Sequence, residues 1–216
     1  MVKLMGMAVM YRAEDDDDSK HQQRRRPVFL SYCEDVSSFG YFSQSRVSES
    51  IRFGFRTVAQ RTKRGSRTTV NIDKDIAFRV HAHIRTDGLC CLAITDKEYP
   101  SESIFVGMAE VFRTFLSENK DKTAWKGGGY GGDSKDASKA IKALFARLQD
   151  PQEADKALKI KEEIKNIKGI MAKNIEQLLE REETLAALAQ KSEDLSLGSK
   201  ALARHARGMN SCCRMY

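Results

Sequence analysis

Proline is scarce, with three residues in 216, and there is a single tryptophan. With 41% hydrophobic and 31% charged residues, this excludes a collagen-like chain and wholesale disorder, and leaves room for a packed core. No apolar run approaches the roughly 18 to 20 residues needed to cross a bilayer. Met1–Tyr11 carries one lysine and runs into acid, so no secretory signal is expected. Val2 stands where N-myristoylation requires glycine. An odd number of cysteines, five, without such a signal predicts reduced thiols.

The chemistry of several enzyme classes is missing as well. No Gly-x-Ser-x-Gly elbow presents a nucleophile. The glycine-rich stretch 126–133 is neither preceded by a predicted strand nor closed by Gly-Lys-Ser/Thr, so it reads as a flexible joint and not a phosphate loop. His81 and His83 share one strand face, but the adjacent Cys90 and Cys91 point to opposite faces, so strand packing is expected and no metal site. The net charge of +7 is mild and interspersed with acid. Its densest cluster, Arg52, Arg56, Arg61, Lys63, Arg64 and Arg67, lacks interleaved base-stacking aromatics and reads as a solvated helix end. Nucleic acid is therefore not an expected partner.

What is present divides near position 120. Before it, short β-branched and aromatic runs predict strands at 4–11, 28–32, 67–72, 76–84 and 89–95, separated by turn signals. The first two flank an insertion containing Asp15–Asp18 and Arg24–Arg26. Val47, Ile51, Phe55 and Val58 predict a helix over 45–62, and Ile104, Met108, Val111, Phe112 and Phe115 another after Pro100. The order β-β-α-β-β-β-α makes an α+β domain, a five-stranded antiparallel sheet flanked by helices. A short amphipathic helix is expected over 138–148, and Trp125 is expected to pack against the end of the domain.

From Ala157 the pattern changes to a heptad seam. Alternating steps of three and four reach Ala157, Ile160, Ile164, Ile167, Met171, Asn174, Leu178, Arg181, Leu185, Leu188, Ser192, Leu195, Ser199, Leu202, Ala206 and Met209. All but Asn174, Arg181, Ser192 and Ser199 are apolar. A continuous helix here would be about 80 Å long. So narrow a stripe is not buried by a lone helix in water; it needs partner helices, folds back on its own N-terminal domain, or stays largely unfolded. Arg181 lies at the middle of the seam. Two readings stand: the arginine snorkels from an ordinary coiled coil, or it forms a registry layer with polar groups of partner helices.

These residues resemble a known family. The segment around Arg181, with Met171, Asn174 and Leu178 before it and Leu185 and Leu188 after it, is similar to an R-SNARE motif. Asp35-Val36-Ser37-Ser38-Phe39 and Asp96-Lys97-Glu98-Tyr99-Pro100 resemble stretches of a longin domain, and Asn210-Ser211-Cys212-Cys213 resembles the tail of its lipid-anchored branch. The resemblance implies a longin (profilin-like) domain at 1–120, a glycine-rich joint and short helix at 121–150, an R-SNARE coiled coil at 151–209 and a lipidation tail at 210–216. It also implies assembly with three glutamine SNARE helices, syntaxin-type and others, in which Arg181 forms the central layer. No cofactor is implied apart from covalent lipid: prenyl on Cys213 and palmitoyl on Cys212. The tail Arg214-Met215-Tyr216 departs from the usual Cys-a-a-X preferences.

By the same resemblance the protein is cytoplasmic, and peripheral on the cytosolic face of Golgi, endosomal and vacuolar membranes. Its longin groove, at Phe39, Phe42 and Phe53, receives the lipid or the SNARE segment in a closed form. Ile175 and Leu179, which lie off the seam, are expected to dock on the longin domain in that form. The function implied is vesicle-membrane fusion without catalysis. A longin-type trafficking adaptor, scaffolding without fusion, is the alternative.

Overall fold

The computed structural model describes residues 3–13, 26–72, 77–121, 125, 133, 136–151 and 169–201. Strands β1 (Leu4–Tyr11), β2 (Val28–Glu34), β3 (Ser66–Asn71), β4 (Phe78–Ile84) and β5 (Leu89–Asp96) form the expected antiparallel set. Helix α1 (Tyr41–Arg61) covers one face of the sheet; α2 (Ser101–Glu118) and α3 (Lys139–Arg147) cover the other. Side chains alternate across the strands because the pleat has period two. Along β5, Cys90, Leu92 and Ile94 face α1, while Leu89, Cys91 and Ala93 face α2. Burial raises the thiol pKa of Cys90 to about 12.

The sheet is not purely antiparallel. A sixth strand, β6 (Ile170–Asn174), lies parallel to β3 and gives the order β2-β1-β5-β4-β3-β6. It comes from the heptad seam, which was expected to be helical throughout. The described part, 169–201, instead runs as β6, a 3-10 turn (Ile175–Gln177), the short helix α4 (Leu185–Lys191) and a helical stretch at 197–201. The reason is the partner available: β3 offers an unpaired edge whose backbone groups a strand satisfies and a helix does not.

Two buried polar side chains, Arg12 and His81, find their partners within the fold. The buried Arg12 guanidinium donates to the carbonyl oxygens of Ala59 (2.8 Å), Gln60 (3.1 Å) and Thr62 (2.8 Å), capping the C-terminal end of α1. His81 lies between the hydroxyls of Thr69 and Thr95, each 3.0 Å away. The Thr95 hydroxyl donates to the Asp96 carbonyl, so the His81 Nε2–H donates to Thr95 and Nδ1 accepts from Thr69. Burial, aided by Arg79, holds this neutral imidazole at a pKa of about 3. His83 packs edge-on to Phe112. Trp125 is buried against Tyr11 and Phe115.

The turn into β5 depends on Gly88, which has φ +86° and accepts from the Arg12 N–H. A Cβ added there would lie 2.4 Å from the Arg12 carbonyl oxygen. Gly88→Ala is expected to destabilise the fold by about 2 kcal/mol, read in a thermal melt as a Tm lower by about 5 °C. An unchanged melt would contradict this placement of the turn.

Candidate functional site

The site is the surface where the C-terminal segment meets the α1 side of the sheet. It starts at the β3 edge, where Arg67 to Asn71 pair in register with Ile170 to Asn174. The 3-10 turn that follows is closed by a capping box, with the Asn174 N–H donating to the Gln177 side chain at 2.9 Å. This turn aims Ile175 and Leu178 into the core, where they join Ile51, Phe55, Val58, Val70 and Val80. Both are under 10% exposed. Leu185 packs half-buried on the same cluster.

Beyond the apolar contact the segment is held by charge. Arg61 meets Glu183 through two hydrogen bonds of 3.0 and 2.9 Å. Arg56 is itself buried, its guanidinium 4.5 Å from the centre of the Phe29 ring. It donates through Nε to Asp194 (2.9 Å) and through its other nitrogens to Asp133 and the Pro27 carbonyl. Arg26 reaches Glu193 and Asp194. One side chain of α1 thus ties together the end of the insertion, the glycine-rich joint and the C-terminal segment. Fork-shaped guanidinium donors suit such convergent carboxylates.

Further along, the Glu49 carboxylate accepts the Ser196 N–H at 2.9 Å. Burial pushes the Glu49 pKa up, but this hydrogen bond and the hydroxyls of Ser199, Ser196 and Ser45 outweigh it and hold the group below the usual glutamate value. Between α1 and α4 lies a cleft of about 490 Å³, lined by Phe53, Arg56, Thr57, Arg61, Leu188 and Asp194 among others.

The residues singled out from the sequence are distributed unequally. Leu178 is buried in this interface, and Leu185 and Leu188 are half-buried at it; Met171 and Asn174 lie on β6 with exposed side chains. Arg181 is exposed in a turn, next to Glu182 with φ +74°. A left-handed residue there stops any helix from running through the seam centre in this form. Leu178, and not Leu179, accompanies Ile175 into the core, because the tight turn changes the helical spacing. Phe53 lines the cleft and Phe39 packs half-buried near Phe78. Phe42 corrects the groove assignment: it is 88% exposed on the first turn of α1, which begins four residues before the predicted start and turns this side chain to the outside. Cys212 and Cys213 lie outside the described residues.

Arg56 and Asp194 were not recognised from the sequence. The apolar spacing of α1 does place Arg56 one residue from Phe55, at the edge of the buried face.

Two family models match the chain one after the other. Residues 36–131 match the model of the regulated-SNARE-like, or longin, domain, and residues 156–215 match that of synaptobrevin. The VAMP-like protein YKT61 of Arabidopsis thaliana is 37% identical over 187 residues, covering 87% of this chain and 90% of the relative. The chain belongs to the longin-domain R-SNAREs. The synaptobrevin homolog YKT6 of Saccharomyces cerevisiae is 33% identical over 189 residues, covering 85% of this chain and 90% of the relative. The synaptobrevin homolog ykt6 of Schizosaccharomyces pombe is 32% identical over 189 residues, covering 87% and 92%. This R-SNARE acts in vesicle fusion and interacts with other SNARE proteins, which are a non-enzymatic class. Among the described residues no helix is long and apolar enough to cross a membrane.

Asp194 accepts charge-assisted hydrogen bonds from Arg26 and from the buried Arg56, which keeps Asp133, so its removal costs about 3 kcal/mol. Asp194→Ala is therefore expected to speed amide exchange across 185–201 by about a hundredfold while leaving β1, β4 and β5 protected. Unchanged exchange in the segment would show that the Arg56 contact does not hold it.

Proposed function

We propose that this form is the closed state of a lipid-anchored R-SNARE, in which the longin domain withholds the segment that drives fusion. The observation carrying the reading is that one set of side chains has two uses. Leu178, Leu185 and Leu188 belong to the heptad seam, yet here they sit at the longin surface beside Ile175. A seam residue buried against α1 is not available to partner helices, so closure and assembly exclude one another.

On release, 151–209 becomes one helix and assembles in parallel with three glutamine SNARE helices. Arg181, solvated when closed, then donates to the three glutamines inside a dry layer sealed by Leu178 and Leu185. Zippering toward Met209 draws two membranes together, and apolar burial supplies about 25 cal/mol per Å². No bond is made or broken. The chain is held on the cytosolic face of Golgi, endosomal or vacuolar membranes by lipid at Cys212 and Cys213, because a single chain anchors only marginally and two anchor stably.

Ile175 separates the two uses, since it lies off the seam. Ile175→Asp is expected to raise the radius of gyration and to speed binding of glutamine SNARE helices at least tenfold. Arg181→Leu should leave compactness unchanged and impair vesicle merging. If Ile175→Asp changes neither compactness nor binding rate, the closed-state reading fails. The anchor is tested separately by the intact mass of protein from its native cell: prenyl and palmitoyl additions are expected, and an unmodified mass would overturn this part.

A further inference from the structure

A second cleft, of about 310 Å³, lies where β3 begins and β4 ends. Arg67, His83, Arg85, Thr86, Gly65 and Gly169 line it, and among the described residues no carboxylate does. Arg67 stands directly opposite His83 in the β3–β4 ladder, so the two side chains share one face of the sheet. Phe112 of α2 places Arg85 beside them: its ring centre is 5.1 Å from that of His83 and 5.6 Å from the Arg85 guanidinium carbon. Two cations therefore flank one imidazole. Burial first, and then the charges of Arg67 and Arg85, hold the His83 pKa at about 4. Its buried Nδ1 has no hydrogen-bond partner in the structure. Asp87 engages Arg85 through Nε (3.2 Å) and Nη2 (3.0 Å) and leaves Nη1 to the cleft side of the pair. Lys63 and Arg64 stand in the turn just before β3, so positive charge exceeds this one acid.

We propose that this cleft binds a soluble anion carrying a phosphate group, held between the Arg67 and Arg85 guanidinium groups, and that the bound anion favours the closed form. A concave surface lined by one sign of charge concentrates its field on a small ion of the other sign. Guanidinium forks on two walls suit the oxygens of a phosphate, which point in several directions. Among the described residues no exposed large apolar side chain lines the cleft, so nothing beside it enters a bilayer and the ligand comes from solution. Gly169 supplies the link to closure. It has φ +112° immediately before β6, and it forms part of the wall only while β6 is paired with β3. An anion that uses this wall binds the closed form better than the open one and shifts the population toward it. That second half of the proposal rests on the closed reading.

The test titrates the full chain, made without lipid modification, with pyrophosphate at constant ionic strength while its amide resonances are followed by NMR. Saturable shifts are expected at Ser66, Arg67, His83 to Thr86 and Gly169, and acetate should produce none of them. The double substitution Arg67→Gln and Arg85→Gln should weaken binding at least tenfold with the radius of gyration unchanged. Should that variant unfold, the wild-type shift map still decides the site. Pyrophosphate should also slow the association of glutamine SNARE helices with the wild-type chain several-fold, and leave association with Ile175→Asp unaltered. Absent shifts, shifts elsewhere, equal shifts with acetate or a folded double variant that binds like wild type overturn the site. Flotation with phosphoinositide vesicles is expected to show no binding; binding there without pyrophosphate shifts would assign the cleft to a lipid headgroup and overturn the soluble ligand. Shifts at the cleft without slower association overturn its link to closure. A wild-type chain as expanded as Ile175→Asp would count against the closed state itself, whereas the site is read from the shift map, so the two failures are distinguishable.

Discussion

The free edge of β3 is the constraint on which the rest of this structure depends. A five-stranded antiparallel sheet that ends on β3 leaves a row of backbone donors and acceptors without partners, and such edges invite another strand. In this chain the strand is its own, Ile170–Asn174, in parallel register. Once β6 is paired, the following turn has to bring Ile175 and Leu178 over the α1 face, and the remainder of the segment is led along α1. The ion pairs of Arg61 and Arg56 then act on a segment already in position. Their geometry is convergent, with three separate stretches of chain meeting one buried guanidinium.

The closed arrangement and the assembled one use incompatible secondary structure for the same residues. In β6 side chains alternate with period two, and in a SNARE helix they recur at three and four. Asn174 caps a 3-10 turn here and would be a seam layer there. Arg181 sits in a turn beside a left-handed Glu182, whereas a central layer requires helix through both. No intermediate geometry serves both uses, so the proposed release of the segment would be a switch between discrete states, as packed interfaces generally are.

Much of this was legible from residue pattern. Strand β1 spans the very residues predicted for it, α2 begins just after Pro100 as expected, and α3 lies within one residue of expectation at each end, because burial against a sheet imposes the periods that reveal them. The segment 170–178 was misread as helix for a corresponding reason: its heptad pattern encodes the assembled state, and nothing local announces the β3 edge 100 residues away. Arg56 read as part of a solvated cluster because its carboxylate partners, Asp133 and Asp194, are distant in sequence. Phe42 was placed in the groove by the resemblance to the family, while the first turn of α1 points it outward.

By itself the sequence determined the α+β domain, the seam with its single central cation and the separation of the two by a glycine-rich joint, since each is written in short-range periodicity and composition. Only the tertiary structure decided where the seam goes when no other helix is present, which of its leucines are covered and which arginine holds it there. Those outcomes depend on an unpaired strand edge and on charges brought together from across the chain, and neither has a signature in any local window.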